Sequence, residues 1–174
     1  MDMNGCGDAD VLDLNGAGPS ENGAFVLMGS VAPEDNYRGS CTAEMSVGPD
    51  AVIQFTVPST GEWEFNTTGS EFDTVLYART SCLNSESEIE CNDDIDYGAG
   101  LSQSRLRLSL EEGTTLFLFI DTYDDQALTP APFTLTAKPY IMTNPPVLDS
   151  AVMVVDTELN TIGILIEGTD AESD

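Results

Sequence analysis

Ile53-Gln54-Phe55-Thr56-Val57 and Glu62-Trp63-Glu64-Phe65-Asn66 are two runs in which apolar and polar side chains alternate, separated by Pro58-Ser59-Thr60-Gly61. A period of two places every second side chain on one face, which is the pattern of a half-buried strand and not of a helix. The residues between the runs supply proline's fixed φ, two hydroxyls and a glycine, so the pair is expected to form a hairpin. Further along, Leu106, Leu108 and Leu110 alternate with Arg105, Arg107 and Ser109. Glu111-Glu112-Gly113 then turns into Leu116-Phe117-Leu118-Phe119-Ile120, which is apolar on both faces and reads as a central strand. Phe133, Leu135 and Ala137 supply another strand, and Val11 to Leu14 and Ala24 to Gly29 supply two weaker ones near the start.

No segment carries a helical stripe, and turn residues recur about every ten positions, the spacing of packed antiparallel sheets. The expected fold is all-β: a two-sheet antiparallel β-sandwich, jelly-roll-like, over residues 1–140. Thr143-Asn144-Pro145-Pro146 marks a stiff linker at residues 141–147, because consecutive prolines cannot continue a ladder. In residues 148–174, Ala151 to Val155 and Thr161 to Ile166 read as a short β-hairpin tail around Thr157-Glu158-Leu159-Asn160. An isolated hairpin is marginal in water. The tail is therefore expected to rest on the first domain, to pair with another chain, or to open a second β-sandwich domain, the last being the preferred reading.

The 174 residues carry 31 acidic side chains, 5 basic ones and no histidine, a formal charge of −26. Without histidine there is no Ser-His-Asp or Cys-His unit and no imidazole ligand. The negative field and scarce cations argue against nucleic acid and anionic membrane surfaces as partners. The longest apolar run, Leu116 to Ile120, is far short of the ~20 residues that cross a bilayer as a helix. An apolar content of 41% nevertheless supports a folded core. Met1 to Asp10 lacks the apolar stretch and basic flank of an export signal, so a mature form or fragment is expected.

Four cysteines allow three pairings, of which the sequence-local one, Cys6 with Cys41 and Cys82 with Cys91, is expected. Zinc is disfavoured by the absence of Cys-x-x-Cys spacing and of histidine. Disulfides place the protein in an oxidising compartment, secreted or at the cell surface.

The richest constellation of candidate ligands is Asn92, Asp93, Asp94 and Asp96, directly after a half-cystine, joined by Asp121, Asp124 and Asp125 at the end of another strand. Oxygen donors in that number suit calcium, and magnesium less well. Asp73 is a further candidate ligand, or a partner for Arg105. The competing reading is that these acids cap turns and keep the surface soluble. A catalytic carboxylate pair needs a cleft that nothing in the sequence identifies, and Ser81, Ser104 and Lys138 have no visible activating partner. The chain is accordingly expected not to be an enzyme. Trp63, Tyr77, Tyr97 and Tyr123 raise a carbohydrate platform, although Trp63 shares the parity of core Phe65 and packing is favoured for the others. Asn66-Thr67-Thr68 fits an N-glycosylation acceptor.

The segments Asp50 to Val57, Gly69 to Tyr77, Cys91-Asn92-Asp93-Asp94, Ser104 to Leu108 and Leu116 to Asp121, in that order, resemble the bacterial pre-peptidase C-terminal domain family. Phe72-Asp73-Thr74 and the Cys91 to Asp94 element carry most of the resemblance. It implies a small jelly-roll-like sandwich appended to secreted proteases and other exported proteins, an accessory module and not a catalyst. The resulting expectation is a non-catalytic, calcium-stabilised extracellular module for adhesion, spacing or substrate targeting, its partner a polysaccharide or protein surface. The alternative is a filament subunit that self-associates when its C-terminal strands complete a neighbour's sheet.

Overall fold

The computed structural model describes Cys6 and residues 11–31, 37–42, 48–123, 131–141, 147–156 and 161–169. The chain divides into two units, Met1–Tyr140 and Ile141–Asp174. Among the described residues the first holds nine strands: β1 (Val11–Asp13), β2 (Phe25–Ser30), β3 (Asp50–Thr56), β4 (Gly61–Asn66), β5 (Thr74–Arg79), β6 (Glu88–Asn92), β7 (Arg105–Leu110), β8 (Thr115–Thr122) and β9 (Pro132–Pro139). One sheet runs β1-β3-β8-β5-β6, and the other runs β2-β9-β4-β7. Successive strands cross from sheet to sheet in the jelly-roll manner except β5 and β6, which are neighbours in one sheet, and every pair is antiparallel except β1–β3. That parallel pair departs from the wholly antiparallel expectation: Val11 to Asp13 runs beside Val52 to Gln54 in the same direction. Among the described residues the only helices are three short 3₁₀ turns. None is long and apolar enough to cross a membrane.

The expected hairpin at Pro58 to Gly61 is not one. β3 pairs with β1 and β8, whereas β4 pairs with β7 and β9 in the opposite sheet. The connection is an arch across the core. Alternation explains why: a hairpin would set Phe55 and Trp63 on the same face of one sheet, but the arch turns them to face each other. The Phe55 ring lies 5.4 Å from Trp63, 5.4 Å from Phe25 and 5.6 Å from Phe65. The Trp63 indole donates to the Ser59 carbonyl at 3.0 Å, so the ring that fills the core also pins the arch. Leu76, Leu116, Leu118 and Ile120 from one sheet meet Leu106, Phe133, Leu135 and Ala137 from the other, all buried.

The five-stranded sheet is apolar on its outer side as well. Val52, Val75, Tyr77, Phe117 and Phe119 form a second cluster, with Cys6, Val11, Tyr37, Cys41 and Cys91 packed on it. Tyr77 and Phe119 stack at 4.8 Å, and the Arg79 guanidinium lies 4.8 Å from the Phe119 ring centre. Burial, reinforced by Asp121, pushes the Tyr77 phenol far above its ordinary value and keeps it neutral.

Two disulfides tie the cover to this face, and the pairing is not the local one. Cys6 bonds Cys82 and Cys41 bonds Cys91, with Cα–Cα separations of 5.4 and 5.8 Å. The physical reason is that Cys91 projects from β6 beside Tyr77, onto the outer face where residues 37–42 lie. Gly39 permits that approach, since a Cβ there would stand 2.6 Å from the Tyr77 ring and 2.7 Å from Cys91 Sγ. Spans of 76 and 50 residues remove more unfolded-state entropy than a loop from Cys82 to Cys91 would, each about 4 kcal/mol in the chain-entropy account.

The second unit contains an antiparallel pair, β10 (Val147–Asp156) and β11 (Thr161–Thr169), with Asp156 opposite Thr161 and a bulge between Leu148 and Ser150. The turn at 157–160 and most of the linker, 142–146, lie outside the described residues.

Non-reducing peptide mapping is expected to recover a Cys6–Cys82 and a Cys41–Cys91 linked pair; recovery of Cys82–Cys91 would refute this cover. Phe55→Ala is expected to cost about 3–5 kcal/mol in denaturant unfolding, because it empties the point where three other rings meet.

Candidate metal centre

The site begins with a buried knot of hydroxyls. Thr67, Thr74 and Ser104 are wholly buried, and their side chains bond one another: Thr67 Oγ1 to Thr74 Oγ1 at 2.6 Å, Thr74 Oγ1 to Ser104 Oγ at 3.0 Å. The Ser104 amide donates to Thr67 Oγ1 at 2.9 Å. Ser104 Oγ also reaches the Thr74 carbonyl, and lies 2.7 Å from the Asp93 carbonyl. The knot thus clamps the loop after β6 against the start of β5. Ser104, considered above as a nucleophile, is instead a structural tie.

That clamp brings carboxylates together. Asp73 immediately precedes β5, and Asp93 and Asp94 immediately follow β6. Each offers a carboxylate oxygen within 4.8 Å of the others', and all three are half-buried. Asp93 Oδ1 is buried with no hydrogen-bond partner among the described residues. Burial and, after it, the charge of Asp94 push the Asp93 carboxyl up from its ordinary value. Three anionic oxygens in one partly desolvated place, one lacking a donor, form a donor set suited to a hard cation.

The remaining expected ligands lie elsewhere or have other roles. Asn92 Oδ1 accepts from the Arg105 amide at 2.8 Å, while its Nδ2 donates to the Asp94 carbonyl at 3.1 Å, so Asn92 shapes the loop. Asp96 is exposed and its Oδ1 accepts from the Ala99 amide at 3.0 Å, capping a 3₁₀ turn. Asp121 is buried in β8 opposite Asp50 and Val75, and is not one of the three clustered acids. Asp124 and Asp125 fall outside the described residues. No ion pair joins Asp73 to Arg105 among the described residues.

The aromatic candidates for a carbohydrate platform do not share one surface. Trp63 and Tyr77 are buried, and Tyr123 is exposed. The side chain of Tyr97 lies outside the described ones. Asn66 is also buried, and its amide is engaged with Glu64 and the Thr68 amide.

In acid, the Asp93 proton is retained to a higher pH in the fold than in the unfolded chain, so the stability this group contributes is present below the ordinary carboxylate value and lost as pH rises through its raised one. In chelator, Asp93→Asn is therefore expected to melt higher than the unaltered protein at neutral pH, with the difference closing in acid. Ser104→Ala is expected to cost about 1–3 kcal/mol in denaturant unfolding, since it removes the hydroxyl that joins Thr74 to the Asp93 carbonyl.

No family model matches the sequence, and no curated protein matches it. Among solved structures, the chain is similar to the pre-peptidase C-terminal domain of collagenase from Bacillus anthracis, at 10% identity and a TM-score of 0.39, covering 75% of this chain and 93% of that one. It is also similar to PliG of Aeromonas hydrophila, a periplasmic inhibitor of g-type lysozyme, at 12% identity and a TM-score of 0.43, covering 74% of this chain and 96% of that one.

Proposed function

We propose that this chain is a non-catalytic module of a secreted or surface-borne protein, stabilised by calcium on Asp73, Asp93 and Asp94, and serving adhesion, spacing or substrate targeting. The observation that carries this reading is the convergence of those three carboxylates on a loop clamped by buried hydroxyls. All donors are oxygens, which suits calcium over zinc, and backbone carbonyls and water would complete the six to eight ligands calcium takes. The ion would offset the Asp93–Asp94 repulsion and fix the β6–β7 connection to the start of β5. Two disulfides support an oxidising, non-cytoplasmic setting.

At calcium about a hundredfold above its dissociation constant, the melting temperature is expected to rise by roughly 5–10 °C, to fall back in chelator, and to be insensitive to calcium in Asp94→Asn. An unchanged melt across millimolar calcium would remove the metal from this function.

A second reading is self-association. Its support is that the second unit is a two-stranded sheet, and such a sheet has open edges that template pairing. Light scattering on the full chain and on a chain lacking residues 143–174 distinguishes the two readings. Assemblies lost on deletion would favour the filament, and a monomer in both cases would defeat it.

A further inference from the structure

The five cations of this acidic chain are not evenly spread. Arg105 and Arg107 on β7 and Lys138 on β9 all project from the outer face of the four-stranded sheet, the side opposite the core residues Leu106, Leu108 and Ala137. Strand register sets them in rows. Val26, Thr136, Asn66 and Arg105 stand side by side across the sheet, and Lys138, Glu64 and Arg107 form the next row.

Glu64 is buried and serves as a counter-charge for two of the three. Its Oε1 meets Lys138 Nζ at 3.2 Å and its Oε2 meets Arg107 Nε at 3.1 Å. Burial pushes the Glu64 carboxyl up, but the hydrogen bonds and charges of Lys138 and Arg107 outweigh it and hold it below its ordinary value. Arg107 is further held 4.0 Å over the Tyr140 ring. Arg105 has no such partner: among the described residues its guanidinium enters no ion pair, in a chain with 31 acids.

These rows line an open groove of about 370 Å³, bounded by Glu64, Asn66, Thr68, Arg105, Thr136 and Lys138, with Ile95 as its apolar wall. That volume lies at the low end for small-molecule sites. The hydroxyls of Thr68 and Thr136 make no hydrogen bond among the described residues. The groove therefore offers a planar guanidinium, an ammonium with donors to spare and two uncommitted hydroxyls beside one apolar side chain.

We propose that this groove binds a single sugar acid, a hexuronate unit whose carboxylate is gripped by Arg105 and whose ring hydroxyls meet Thr68, Thr136 and Lys138. The guanidinium fork matches a carboxylate bidentately, and the hydroxyl-rich lining matches a polyol. The field of the whole molecule sets the ligand's size. A net charge of −26 repels polyanions, and in the groove Glu64 offsets part of the charge of Lys138 and Arg107, which leaves Arg105 to attract a single carboxylate. A ligand with one carboxylate passes that filter, and a polyuronate does not. None of the three clustered acids lines this groove.

The test is an NMR titration of the full chain with D-glucuronate and D-galacturonate, in chelator so that a calcium-bridged sugar cannot contribute, at constant ionic strength. Saturable shifts in the millimolar range are expected at the amides of Arg105, Asn66 and Thr136, with D-glucose and acetate each much weaker. Arg105→Gln is expected to weaken binding about tenfold with its melt unchanged, the loss of one charge-assisted pair. Thr136→Val is expected to weaken the uronates and leave acetate unaffected. No saturable shift, equal binding of glucose, equal binding of acetate, or full affinity in Arg105→Gln would each overturn the proposal.

Discussion

Leu116, Leu118 and Ile120 leave β8 on one side and Phe117 and Phe119 on the other, and all five are buried. A strand of this kind sets two requirements. Its inner side chains need a second sheet, which β2, β9, β4 and β7 provide. Its outer side chains need a cover, and Cys6, Tyr37 and Cys41, which lie outside the strands, pack there. Irregular backbone must fill that role, and irregular backbone holds a position poorly without covalent help. The two disulfides meet this requirement, each fastening a different part of the cover to the β5–β6 side of the sheet.

The same logic of convergence governs the acids. Thirty-one carboxylates on 174 residues repel one another, and among the described residues Glu21, Glu62, Glu71, Glu90, Glu111 and Glu112 relieve the repulsion by facing water. Asp73, Asp93 and Asp94 do not, because the Thr67–Thr74–Ser104 knot binds the two loops that carry them. Hydroxyls suit such a knot because each both donates and accepts, so three of them satisfy backbone groups on separate strands without introducing charge. Burial there and, after it, the charge of Asp94 push the Asp93 carboxyl up.

The outer face of the other sheet shows the opposite balance. There, alternation sends Arg105, Arg107 and Lys138 outward together, and Glu64 offsets only part of their charge. The molecule thus carries a cluster of carboxylates on two loops and a locally cationic sheet face set by strand alternation.

Alternation alone determined much of this protein. The strands through Phe55, Trp63, Leu108, Leu118 and Leu135, the inward parity of Trp63 and the centrality of Leu116 to Ile120 could all be read from it, because burial on one pleated face is written in neighbouring residues. The Asp93-Asp94 pair was visible as a candidate ligand group because its oxygen donors are adjacent in the chain. Which strands pair was not visible: Pro58 to Gly61 reads as a hairpin, whereas the Phe55 and Trp63 rings oppose each other across an arch. The disulfide partners, the hydroxyl knot between residues 30 and 37 positions apart, and the placing of Arg105 beside Asn66 and Thr136 were likewise decided by tertiary structure. Sequence records which face a side chain takes; which distant side chain it meets there depends on how two twisted sheets settle against each other.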